Sequence, residues 1–311
     1  MNDAPQTTDS LLMIRPARFR FNEQTALSNA FQKQLENLSE AEIRQRAIKE
    51  FDDLVKLLRA NDINVFVVDD TPEPMKPDAI FPNNWISFHR DGTVFLYPML
   101  SSNRMAERRA DIIETLKEHF QIRRVVDLSN RENQILEGTG SMVFDHPNKI
   151  IYAALSPRTN KDLLEKFASM LAYKPIAFVS LDEKGGEIYH TNVAMCVGEK
   201  FAIICLDTIK NTREKESVAK SLRKTKHEII EISMEQMSQF AGNMLEVRNR
   251  FGKSFLLMSK AARRCLSELQ TNQIQKYTKI LSANIETIEA VGGGSVRCMM
   301  AEIFCEKESG I

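Results

Sequence analysis

Residues 85–97 read WISFHRDGTVFLY: two apolar runs of strand length around a turn at Asp91-Gly92. Asp-Gly between alternating apolar segments is a strong short-range hairpin signal. The plan returns three times. Residues 141–154 (SMVFDHPNKIIYAA) turn at His146-Pro147-Asn148, and residues 192–206 (NVAMCVGEKFAIICL) turn at Gly198-Glu199-Lys200. Residues 243–258 (NMLEVRNRFGKSFLLM) turn near Gly252. A spacing of about fifty residues marks an internal repeat, the signature of propellers and solenoids.

Each hairpin is followed by a stretch expected to be helical, at residues 103–120, 160–172, 213–226 and 259–276. Apolar residues at helical spacing mark the second and fourth; the third is charged on most faces and reads as a solvated outer helix. A strand is expected after each, at residues 123–128, 175–181, 228–232 and 284–290. A helix at 41–60 and a strand at 63–68 open the series. Every strand leads into a loop rich in Asn or Gly, and there are five such loops. They lie at residues 78–84, 136–140, 189–192, 241–243 and 292–295. The fifth hairpin is cut short after residues 296–304, so the apolar start at 11–19 is expected to supply its missing strand. The expected fold is therefore an α/β propeller of five pseudosymmetric hairpin-plus-helix units around a central channel. Residues 11–311 form one domain in this reading, and residues 1–10 a flexible tail.

Composition narrows the function. Lys plus Arg and Asp plus Glu both number 42, so no global field favours nucleic acid or an anionic membrane. Hydrophobic residues make up 43%, too many for a disordered chain, yet no run approaches the ~20 needed to cross a bilayer. The start MNDAPQTTDSLLMIRPARF lacks a basic-then-apolar leader, and the five cysteines include no C-x-x-C pair. Reduced thiols in the cytoplasm are expected. HExxH, Walker and GxGxxG-helix patterns are missing, so no metal and no cofactor is expected.

The five loops would meet at one mouth of the channel, where a small-molecule site belongs. Cys298 follows Gly292-Gly293-Gly294. A single cysteine is ordinarily a small core hydrophobe, but glycines before it allow a tight bend or close approach of a ligand. His190 lies two loops earlier and supplies the proton acceptor a nucleophilic cysteine needs. Glu137, one loop before that, has the chemistry to bind a cation or orient a histidine. Asp78, Asn83, Asn84, Asn192 and Asn243 add carboxylate and amide groups, although Asn and Asp also favour turns for local reasons. The other histidines and cysteines read as structural.

This set resembles the guanidino-group-modifying enzymes, the superfamily of arginine deiminase, dimethylarginine dimethylaminohydrolase and the amidinotransferases. The resemblance covers about residues 13–304 and is sharpest at GGGSVRCMMAEIF, residues 292–304. Leu136-Glu137-Gly138 resembles the family's Glu-Gly-Gly loop, and His190 with a polar residue two positions on resembles its histidine motif. The branch containing a citrulline-utilisation hydrolase is the most similar. The resemblance implies the five-unit propeller, often called the pentein fold. It also implies a covalent mechanism: Cys298 attacks the central carbon, His190 moves protons, and Glu137 binds substrate nitrogens and orients His190. Arg297 is expected to bind the substrate carboxylate. Arginine-specific members carry aspartates where this chain has Asn84 and Asn192. Asparagine keeps the shape, removes the charge and gains a donor, which favours a neutral ureido group such as that of citrulline.

The expected function is thus a hydrolase cleaving a non-peptide C–N bond in the ureido or guanidino group of an arginine- or citrulline-like amino acid. An amidinotransferase passing the group to an amine is one alternative. A non-catalytic binding protein on the same fold is another. The expected partner is a small amino-acid substrate, with neither nucleic acid nor membrane; a homodimer is compatible with this reading.

Overall fold

The computed structural model describes residues 5–129 and 134–308. It is a mixed α/β fold holding five three-stranded sheets, one for each expected unit. Four share one plan, in which an antiparallel hairpin is extended by a parallel strand reached through helix. In the first, Ile86–Phe88 pairs with Thr93–Leu96, which then pairs in parallel with Arg124–Asp127. Parallel pairing cannot be closed by a tight turn, so a helical crossover lies between the second and third strands of each unit.

The fifth sheet joins the two ends of the chain. Ser10–Arg15 is its middle strand, antiparallel to Ala301–Glu302 and parallel to Asn64–Asp69. Leu11, Leu12 and Met13 are fully buried there, as the apolar start of the sequence led one to expect. Packed structure extends into the expected tail. Gln6 and Thr8 are buried, and the Gln6 carboxamide donates to the carbonyls of Phe144 (2.8 Å) and Val197 (3.0 Å). A buried polar side chain with three hydrogen bonds holds this segment in place, so residues 6–10 are not a loose tail. Residues 1–4 lie outside the described residues.

Helices pack outside the sheets where their sequence is amphipathic. Glu40–Arg59 starts at a Ser39/Glu42 capping box and buries Ile43, Ala47, Phe51, Leu54, Val55 and Leu58. Thr212–Lys224 is less solvated than its charge implied, because Val218, Ala219 and Leu222 form a buried stripe. The expected helix at 103–120 is two pieces, Ser102–Met105 and Ala110–Lys117. The fourth helix is also divided, into Lys260–Cys265 and Glu268–Gln275, where Ser267 caps a new start.

One expected strand is wrong. Residues 284–290 are not extended; the strand is Lys279–Ala283, pairing with Ser254–Ser259, and a helix follows at Glu286–Gly292. That helix buries Ile288 and Val291, one turn apart, and Glu50 accepts the backbone N–H groups of Thr287 and Ile288 at its start. A carboxylate on free N-terminal donors stabilises a short helix that propensity alone leaves undecided.

Leu12 tests the joining of the chain ends. Leu12→Ala is expected to lower stability by about 2–5 kcal/mol, because it deletes a buried side chain from the middle strand of the fifth sheet. Leu27→Ala, at a side chain 96% exposed, should change it by less than ~0.5 kcal/mol. The midpoint of urea unfolding with unchanged slope measures both.

Candidate active site

Short turns carry the candidate residues into the hairpins. They are Pro82–Asn84, Gly138–Ser141, Thr191–Ala194 and Val296–Met299, with residues 241–243 in the remaining unit. The 138–141 turn packs on the 82–84 and 191–194 turns, and 82–84 packs on 296–299. Asn243 bridges the rest: its amide donates to the Asn192 carbonyl (3.0 Å) and accepts from the Arg297 N–H (3.1 Å). Residues far apart in sequence therefore share one cavity. It is lined by Cys298, His190, Asp78, Asn84, Arg104 and Arg158 among others.

Glu137 lies fully buried beside this cavity. One carboxylate oxygen accepts the Leu100 N–H (2.9 Å); the other meets His190 Nε2 at 2.7 Å. Arg158 and Arg104 approach that second oxygen at 3.4 and 3.9 Å. Burial opposes ionisation of Glu137, but the Arg158 charge, the His190 hydrogen bond and Arg104 outweigh it. They hold the carboxyl well below its usual range. An ionised Glu137 can only accept, so Nε2 of His190 carries the proton and Nδ1 is left as an acceptor. Burial pushes His190 down to about 4 against the opposing pull of Glu137, so the imidazole is neutral at pH 7.

Cys298 is 3% exposed, and its sulfur lies 3.3 Å from the Asn243 amide nitrogen and 3.6 Å from that of Asn192. Both amides are placed to donate to a negatively charged sulfur. Burial raises other thiols in the chain: Cys196 and Cys305 to about 12 and Cys205 to about 11. These remain thiols, which fits their reading as core residues.

Gly140 fixes the distance between two cavity groups. A Cβ there would lie 2.4 Å from the Asn84 amide nitrogen and 2.8 Å from His190 Nδ1. Asn84 has one permitted orientation. Arg104 donates to its oxygen at 3.0 Å, and guanidinium has no acceptor, so the NH₂ group must face elsewhere. That nitrogen has no partner among the described residues, and neither has Asp78 Oδ1. Asn83 is fully buried, and neither polar atom of its side chain finds a partner.

A model of the family described as N,N dimethylarginine dimethylhydrolase, eukaryotic, matches residues 15–305. The chain belongs to this family. It is thereby placed among the guanidino-group-modifying enzymes, as the motifs implied. No curated protein matches the sequence. Among solved structures, a mutant N-terminal domain of ArgZ bound to substrate, an arginine dihydrolase of the ornithine–ammonia cycle in cyanobacteria, superposes with a TM-score of 0.75. It is 16% identical, over 96% of this chain and 98% of that one. A mutant of AgrE in complex with L-arginine gives the same score at 17% identity, over 97% of this chain and 41% of that one. Dimethylarginine dimethylaminohydrolase as its adduct with S-methyl-L-thiocitrulline scores 0.63 at 13% identity, over 96% and 100%. At such identities these likenesses speak for the fold alone.

Arg297 does not take the place expected for it in this family member. Cys298 lies on a 3₁₀ turn rather than a strand, and its neighbour points away from the cavity. Arg297 pairs with Glu302 (2.8 Å), donates to the Met300 carbonyl (2.9 Å) and lines a separate chamber with Asn192, His146 and Glu246. Among the described residues, the guanidinium groups lining the cavity with Cys298 are those of Arg104 and Arg158, which sequence reasoning missed. Arg104 is held by two 2.8 Å bonds to Glu107, and Arg158 lies 5.0 Å from the Tyr189 ring centre. Residues 22–33 cover the mouth, another feature outside the repeat. Asn22 and Thr25 donate to Asp78 Oδ2 (2.6 and 3.2 Å), and Arg158 donates to Ser28 (2.7 Å). Among the described residues no group of His, Cys, Asp or Glu side chains is placed to hold a metal ion, and no helix is long and apolar enough to cross a membrane.

Buried His190 and His89 and half-buried His146 set an acid limit. Burial lowers His190 and His89 to about 4 and His146 to about 3. The unfolded chain binds more protons once pH falls below the ordinary histidine value, so stability is full above that value and is lost as pH falls towards 4. Each histidine contributes a slope of up to about 1.4 kcal/mol per pH unit. His146→Gln should remove one of these contributions, giving a shallower fall in urea midpoint between pH 7 and 5.

Proposed function

We propose that this protein is a cysteine-dependent hydrolase that cleaves the terminal ureido group of a citrulline-like amino acid. The five units are read as a propeller, with the catalytic loops at one mouth of its channel. Cys298 is the nucleophile, and His190 with Glu137 moves the protons. As the Cys298 sulfur bonds to the ureido carbon, neutral His190 takes the thiol proton and passes it to the departing nitrogen. Water then attacks the thiocarbamate with His190 as base, and the thiol returns. Whichever nitrogen leaves first, one water and one ureido group give one amine, one ammonia and one carbon dioxide. Asn192 and Asn243 stabilise the sulfur charge, Asp78 holds substrate nitrogen, and Arg158 is the guanidinium available to the substrate carboxylate.

The observation that carries the substrate class is the Asn84 amide. Arg104 holds its oxygen, so its unpartnered NH₂, beside Gly140 in the cavity wall, is the group left to meet a substrate. A guanidinium offers only donors, so arginine or methylarginine, the substrate class in the family's name, would leave two donors facing each other. An unmade buried hydrogen bond costs about 1–3 kcal/mol. A ureido oxygen accepts from the same group.

Ammonia release without an added amine acceptor tests the reaction and separates it from amidino transfer. The screen covers citrulline, arginine, methylated arginines and agmatine, beside Cys298→Ser as an inactive control. Citrulline should be the best substrate by kcat/KM; equal turnover of arginine would overturn the assignment. Asn84→Asp should shift selectivity towards arginine by about 10- to 100-fold, the equivalent of one charge-assisted hydrogen bond.

A further inference from the structure

We infer that Glu289 is a positioning residue for the nucleophile, acting through the hydroxyl of Ser295. The inference rests on the reading of Cys298 as the nucleophile. The helix Glu286–Gly292 runs straight into the glycine run and then into the turn carrying Cys298. Gly293, at φ +62°, ends the helix in the left-handed region. Three consecutive glycines offer no side chain to fix the angle between helix and turn. Ser295 and Glu289 supply that tie. The Ser295 hydroxyl donates to Glu289 Oε1 at 2.6 Å, while the Ser295 carbonyl accepts the Cys298 N–H at 2.9 Å. Ser295 is fully buried and Glu289 is 8% exposed. One residue thus grips the helix with its side chain and the nucleophile with its backbone.

Core packing gives no reason for an acid at position 289. Burial pushes its carboxyl up to about 7, the Ser295 and Ser259 hydroxyls oppose the rise, and the like charges of Glu50 and Glu286 add to it. A buried carboxylate that joins no ion pair is costly, and its gain must come from the hydroxyls it orients. The catalytic steps leave Glu289 unused, and the 2.6 Å bond leads towards the sulfur. The same helix also carries the cover of the active site: Lys33 N–H donates to the Ala290 carbonyl (2.6 Å), and Gln32 donates to that of Val291 (3.2 Å). Glu289 therefore stands on the element to which both the cover and the nucleophile turn are tied.

The test is a double-mutant cycle read by kcat, KM and the rate at which iodoacetamide alkylates Cys298. Ser295→Ala and Glu289→Ala should each lower kcat by about 10- to 100-fold, the scale of a small misplacement of a reacting group, with KM little changed. The double variant should be no worse than either single one, since the two residues act as a unit. Glu289→Gln keeps an acceptor for Ser295 and should restore most of the rate. Alkylation should slow in parallel; it needs no substrate, so it decides the inference even if the screen finds no turnover. Unchanged kcat and alkylation in Ser295→Ala, or losses that add in the double variant, would overturn the proposal. If Glu289→Ala fails to fold, Ser295→Ala and Glu289→Gln carry the test: equal losses in these two count against it, and retained rate in Glu289→Gln alone supports it.

Discussion

The buried carboxylate of Glu137 is the constraint on which the site depends. It accepts from the Leu100 backbone, fixes the proton on Nε2 of His190, and faces two arginines. An acid with no access to water must have its charge compensated, and the compensation here is distributed over several units of the fold. Arg104 comes from the segment after the first hairpin, Arg158 from the end of the second, and His190 from the start of the third. The histidine tautomer, the orientation of Asn84 and the tie to the cover through Ser28 all follow from that set. Each is held by a charged group that has to find a partner.

Much of the fold was legible in local sequence because hairpins announce themselves locally. Asp91-Gly92 sits between two apolar runs, and the three later hairpins repeat the pattern. The pairing of residues 11–19 with the truncated fifth unit was legible for another reason: a sheet with two strands of three leaves one edge to be filled. The error at 284–290 was one of boundaries. Apolar residues at 285, 288 and 291 keep helical spacing, but over a run too short to decide by periodicity, and Glu50 holds the helix start. The breaks inside the first and fourth helices follow side-chain roles that periodicity does not carry.

The site was legible in a different way. Cys298, His190 and Glu137 could be aligned because the repeat puts them in sister loops. Arg104 and Arg158 lie outside those loops and look like surface residues in a charged chain; only burial distinguishes them. Arg297 misled because adjacency to the nucleophile implies nothing about direction. On a 3₁₀ turn successive side chains diverge by about a third of a turn, which sends Arg297 to Glu302 on the far side.

In the proposed reading, Asn84 separates substrate classes by donor and acceptor parity rather than by size. Guanidino and ureido groups are both planar and close in volume, so shape discriminates poorly between them. Their hydrogen-bonding faces differ, since guanidinium only donates whereas a ureido group donates from nitrogen and accepts at oxygen. A cavity with carboxylates at every contact suits the first. Here the free acceptor is Asp78 Oδ1 and the free donor is Asn84 Nδ2. That pair is complementary to one nitrogen and one oxygen of the same planar group. Arg104 is what prevents the Asn84 amide from turning over to present its oxygen instead. Glu107 in turn holds Arg104, so the orientation of the contact proposed to discriminate substrates is set by an ion pair. Specificity in such a site resides in the group that removes the alternative orientation as much as in the group that makes the contact.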